Sequence, residues 1–210
     1  MSTKIIGALS GVEADVDTGR SLYVNVEPDP IGAAGGWYTV TGSCSAVVAA
    51  TLAANTPLMT MRLAVGSARK VYIDRIRTQI NIATPGVAGA ISGTLGIQRF
   101  TTATPTGGTA RTPCRLNEAL GTTSDVTDVR DSNAALTVTS VVFGTVAGSC
   151  LIPVCEILTS YGFMNAFEWV FDPPRPVVLA AGDGISLRTQ VACPATQTWV
   201  YSYTVHWLEK

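Results

Sequence analysis

The stretch QTWVYSYTVHWLEK, residues 197–210, decides the fold. Its odd positions are Trp199, Tyr201, Tyr203, Val205 and Trp207, and its even positions are Val200, Ser202, Thr204 and His206. A period of two is the signature of a strand with one apolar face. Each aromatic ring on that face would bury ~150–250 Å². At ~25 cal/mol per Å² that is roughly 4–6 kcal/mol gross per ring, an upper bound before ordering entropy. A domain that left such a face in water would forgo most of its driving force. The spacing therefore predicts a core or subunit-interface face, with a sugar- or base-stacking platform as the competing reading. His206, the single histidine of the chain, falls on the polar face. It reads as a solvated or interface residue rather than a general base.

The rest of the composition agrees with a strand-rich protein. The 210 residues are 47% apolar and only 14% charged, with 14 Lys and Arg against 15 Asp and Glu. That is too apolar for a disordered chain and poor in charge for an isolated soluble one. A formal net charge of −1 without a basic cluster gives no electrostatic footprint for nucleic acid. No apolar run is long enough for a signal-peptide core or a membrane span, the longest being CSAVVAATLAANT, so no membrane partner is expected. Cys44, Cys114, Cys150, Cys155 and Cys193 include no C-x-x-C pair, which predicts buried, reduced thiols rather than a zinc site.

Working back from the closing strand, PVVLAAGDGISLRTQVA reads as strand, Gly-Asp-Gly turn and strand, a hairpin. Ile185, Leu187 and Val191 are expected inward and Ser186, Arg188 and Gln190 outward. Further strands are predicted in SLYVNVE, WYTVTG, PLMTMRLAV, AISGTLGIQRFT, LTVTSVVFGTV and NAFEWVFDPP. In KVYIDRIRTQINIA the apolar positions are odd at Val71 and Ile73 but even at Ile76, Ile80 and Ile82. Such a change of parity near Asp74 or Arg75 requires a bulge or a passage between sheets. SAVVAATLAAN, residues 45–55, is the best helix candidate, capped by Ser43 or Ser45 and stopped by Asn55 and Pro57. Residues 102–135 show no period and read as a long functional loop. The prediction is one all-β domain over 20–210, a two-sheet sandwich of jelly-roll type with one short helix and long loops, preceded by an arm over 1–19.

Catalytic constellations are weak. No serine sits on a G-x-S-x-G elbow, and Asp125, Asp128 and Asp131 are spaced by three rather than by two as in a calcium loop. AGDGIS is followed by a strand, not by the helix a phosphate cradle needs. No enzyme activity, cofactor, metal site or small-molecule substrate is expected.

The order of features then becomes informative. It runs from GWYTV through AATLAANTPLMTMRLA, RKVYIDRIRTQI and IQRFTTATPTGGTA to PVVLAAGDGISLRT and a closing YTVHWLE. From about residue 20 onward this resembles small virion structural proteins of tailed bacteriophages. The five cysteines depart from that pattern. The resemblance implies a capsid decoration or cement protein, binding the outside of the head lattice as a homotrimer after assembly in the host bacterial cytoplasm. The expected partners are other copies of the chain and the major capsid protein. Residues 102–135 and the N-terminal arm would reach neighbours. Arg62, Arg75, Arg77 and Arg99 would pair with acidic capsid groups, and Arg111, Arg115 and His206 complete the expected interface set. The alternative is a head-fibre or tail component that binds host-surface carbohydrate.

Overall fold

The computed structural model describes residues 3–6, 13–16, 35–48, 53–84, 93–101, 104–116, 123–138, 142–152, 167–171, 176–190 and 198–210. Contacts divide the chain into two units, Met1–Pro30 and Ile31–Lys210. In the first, β1 (Thr3–Ile6) and β2 (Glu13–Val16) pair antiparallel, with Thr3 opposite Val16. The predicted strand in SLYVNVE lies outside the described residues.

The second unit is a β-sandwich. Its strands are β3 (Gly36–Val48), β4 (Pro57–Arg62), β5 (Val71–Thr84), β6 (Gly93–Thr101), β7 (Thr106–Arg111), β8 (Cys114–Arg115) and β9 (Asp128–Thr137). They continue with β10 (Val142–Ile152), β11 (Phe167–Val170), β12 (Val177–Leu179), β13 (Gly184–Thr189) and β14 (Thr198–Glu209). One sheet has the order β10-β6-β13-β4-β9-β7, the other β11-β5-β14-β3-β8 with β12 also on β5. Setting aside β7–β9, the strands pair first with last. β3 lies on β14, β4 on β13, β5 on β11 and β12, and β6 on β10, all antiparallel. That nesting is a long hairpin rolled over itself, a sandwich of the jelly-roll type expected from the pattern of short strands.

β14 occupies the middle of its sheet, between β3 and β5. Tyr201, Tyr203, Val205 and Trp207 are each at most 2% exposed, facing Met59, Met61, Ile185, Leu187, Leu95 and Ile97 of the other sheet in one core. Tyr38 stacks on Trp207 at 5.9 Å between ring centroids, and Tyr201 on Tyr203 at 6.1 Å. The side chain of Trp199 lies outside the described residues. The parity change in β5 is a bulge within one sheet: His206 lies opposite Arg75 and Trp207 opposite Ile73, which leaves Asp74 extra. Val71, Ile73, Ile76 and Ile80 therefore all face the core.

Four expectations need correction. Ser45–Val48 is not helical but the end of β3, where Val47 and Val48 pair with Trp199 and Thr198. Ladder bonds to β14 outweigh the modest helix preference of a short Ala-rich run. Residues 102–135 are not a structureless loop, since they hold β7, β8 and most of β9. LTVTSVVFGTV is split between β9 and β10. The Gly182-Asp183-Gly184 turn exists but is no hairpin, because β12 joins β5 while β13 lies between β4 and β6 in the opposite sheet. Gly184 fits there because a Cβ would lie 2.3 Å from the Phe100 ring and 2.6 Å from the Met61 carbonyl. Ser186 and Arg188 are accordingly buried, not solvated.

The end of β14 is fastened by a buried carboxylate. Glu209 is fully buried and accepts from Trp207 Nε1 at 3.0 Å, Ser124 Oγ at 2.5 Å, the Asp125 amide at 3.0 Å and Arg69 at 3.3 Å. Lys210 and Lys70 exchange both backbone bonds beside it. Glu209→Ala would strand several of these donors together. Urea unfolding should show a loss of about 3–5 kcal/mol, and a smaller one for Glu209→Gln, which keeps an acceptor oxygen.

Candidate functional site

The seven expected interface residues fall into three places. Arg62 and Arg99 flank the Gly182–Asp183 corner. Arg62 donates to the Gly182 carbonyl at 3.4 Å and to Thr104 Oγ1 at 2.8 Å, and Arg99 pairs with Asp183. Arg75, Arg77 and His206 share the outer face of the β14 sheet. Arg111 and Arg115 line one groove beside the β7–β9 insertion.

On the outer face, alternation along β3, β5 and β14 turns Thr39, Thr41, Ser43, Ser202, Thr204 and His206 away from the core. Arg77 Nε donates to Glu168 Oε1 at 2.6 Å, and Arg75 donates to the same oxygen at 3.3 Å and to Asp74 at 3.2 Å. Arg77 holds the Glu168 carboxyl below its usual range. His206, half-buried opposite Arg75 in the ladder, has its pKa lowered, first by burial and then by Arg75. Arg77 acts in the same sense, and Asp74 and Glu168 in the opposite one.

The groove has a volume of about 420 Å³ and lies between the β7–β8 turn and residues 123–127. Its walls include Tyr38, Arg111, Pro113, Arg115, Val126 and Thr127. Arg115 is 8% exposed; its Nη2 donates to the Gly35 carbonyl at 2.6 Å and its guanidinium carbon stands 5.8 Å from the Tyr38 ring centroid. Gly36 makes this possible, since a Cβ there would lie 2.7 Å from the guanidinium nitrogens. Arg111 Nε donates to Asp131 Oδ2 at 2.5 Å and its Nη2 to the Ser43 carbonyl at 3.0 Å. Asp131 is fully buried and also accepts from Tyr203 Oη at 3.3 Å. Arg111 thus caps a carboxylate in the core while reaching the groove.

The three acids of SDVTDVRDS do not converge. Asp125 accepts from Ser67 and Arg69, Asp128 from Arg130, and Asp131 from Arg111. Among the described residues no group of three or more His, Cys, Asp or Glu is placed to hold a metal ion. Cys44 is buried beside Tyr201 and Ser132, and burial pushes its thiol pKa up. Cys114, on the two-residue edge strand β8, is exposed, which corrects the expectation of uniformly buried thiols. The thiols of Cys150, Cys155 and Cys193 lie outside the described residues. Tyr38 was not legible as a groove residue, because it belongs to no motif and only the register of β3 with β8 brings it there.

No protein-family model, curated protein or solved structure matches the chain.

The lowered pKa of His206 has a defined sign. The unfolded chain binds its proton near the ordinary value of 6.5, whereas the folded chain resists it to lower pH. Its contribution to stability is complete above that value and is lost as pH falls from it toward the folded pKa. Urea midpoints should decline over that window, and His206→Gln should flatten the decline.

Proposed function

We propose that the chain is a non-enzymatic structural protein of a tailed-bacteriophage virion, a decoration or cement protein that binds the outside of the head as a homotrimer. Its partners would be its own copies and the major capsid protein. The supporting observation is a jelly roll whose closing strand spends Tyr201, Tyr203 and Trp207 on its own core and which carries a polar insertion, β7–β9, at one edge. Such a body offers short polar side chains and loops for contact with other protein. Among the described residues many charged groups satisfy one another, as in the Arg75, Arg77 and Glu168 set. Several modest contacts per trimer would cement a lattice through avidity, because engaging one raises the effective concentration of the rest.

The sugar-binding alternative loses its main motive where the closing strand is described, since Tyr201, Tyr203 and Trp207 are buried. Glycan cleavage by Asp125 and Asp128 is disfavoured too, as each is engaged with its own arginine.

Immunogold labelling of intact particles tests the reading. Label spread over the whole head is expected, and label confined to one vertex or to the tail would overturn it. Light scattering of the purified chain should give the mass of a trimer, and a clean monomer would remove that part.

A further inference from the structure

We propose that the groove between the β7–β8 turn and residues 123–127 is a carboxylate-binding site, and that its occupant is an acidic side chain of a partner polypeptide. A guanidinium carries five N–H donors in a fixed fork that matches a carboxylate. Arg111 uses Nε on Asp131 and one Nη2 hydrogen on the Ser43 carbonyl, so the remaining donors stand available at the groove. Asp131 is fully buried, whereas the Arg111 side chain is 28% exposed. The buried acid therefore anchors the guanidinium from behind without occupying its outer edge. A donor fixed in this way loses little further entropy when a ligand arrives. Arg115 forms part of the same wall, held in place by the Gly35 carbonyl and lying beside the Tyr38 ring. Thr112 and Thr127, both exposed, place hydroxyls at the rim.

The surroundings choose among anionic partners. A volume of about 420 Å³ suits one side chain with its flanking backbone. Nucleic acid needs a track of unpaired cations along its phosphates. Here Arg69 is paired with Asp125 and Glu209, and Arg130 with Asp128. An acidic sugar would seek a bare ring to stack on, but Tyr38 is 1% exposed, with Trp207 stacked on it and Arg115 beside it. A single carboxylate on a polypeptide fits what is left. The inference does not depend on the virion reading, because its test uses the isolated chain whereas that reading is tested on particles.

The test is two-dimensional NMR of the full chain, titrated with N-acetylglutamate N-methylamide and, separately, with its neutral glutamine counterpart. The glutamate probe should produce saturable shifts of the Arg111 Nε–H signal and of the Thr112, Ser124 and Thr127 amides. The glutamine probe should not. Arg111→Gln should weaken binding by about tenfold. Because that change also strips Asp131 of its partner, Thr112→Asp serves as the second variant. It sets a fixed carboxylate on an exposed turn, and should abolish the response while leaving the melting temperature unchanged. Equal shifts from both probes, no shifts at the groove, or undiminished binding by Thr112→Asp would overturn the proposal.

Discussion

The architecture depends on one strand being paired along both edges and buried on its inner face. β14 is hydrogen-bonded to β3 along one edge and to β5 along the other, while Tyr201, Tyr203, Val205 and Trp207 fill the space between the sheets. Because strands pair first with last, β3 cannot complete its ladder until β14 arrives from the far end of the sequence. Closing so distant a pairing is entropically costly and must be offset by what it buries. The aromatic face supplies that return at once. The Glu209 carboxylate then fastens the end of the strand to Trp207, Ser124, Asp125 and Arg69. Charge burial is tolerable there because each lone pair has a donor.

A sandwich with open sheet edges invites uncontrolled strand addition, and the described edges are all blunted. β7 carries a register shift between Gly107 and Thr109, with Gly107 and Gly108 both at positive φ. β10 has two register shifts against β6, and β8 is only two residues long. On the remaining edge, β11 and β12 divide β5 between them on either side of the Asp74 bulge. Contacts with other protein are thereby directed to faces, loops and the insertion groove. The same insertion that widens the sheets also creates the recess lined by Arg111 and Arg115.

How much of this was legible followed from where the period was strong. The alternation from Tyr201 to Trp207 described β14 correctly, and the switch from Ile73 to Ile76 placed the irregularity in β5 at Asp74 or Arg75 without telling a bulge from a passage between sheets. SAVV failed because local preference is small against a ladder partner more than a hundred residues away. The insertion was invisible because TGGTAR has no apolar face, and its strand exists through pairing with β9 alone. Gly-Asp-Gly announces a turn but not which sheet the next strand enters. The site was harder still. The arginines were visible as residues, yet their grouping at the corner, on the outer face and in the groove depends on register across distant strands.

Native-state hydrogen exchange followed residue by residue tests the central claim most directly. If β14 is the strand on which the fold closes, the amides of Tyr201, Tyr203, Val205 and Trp207 should exchange only through global unfolding, with the largest protection in the chain, while those of β7 exchange through local opening. Protection in β14 no greater than in β7 would contradict the account.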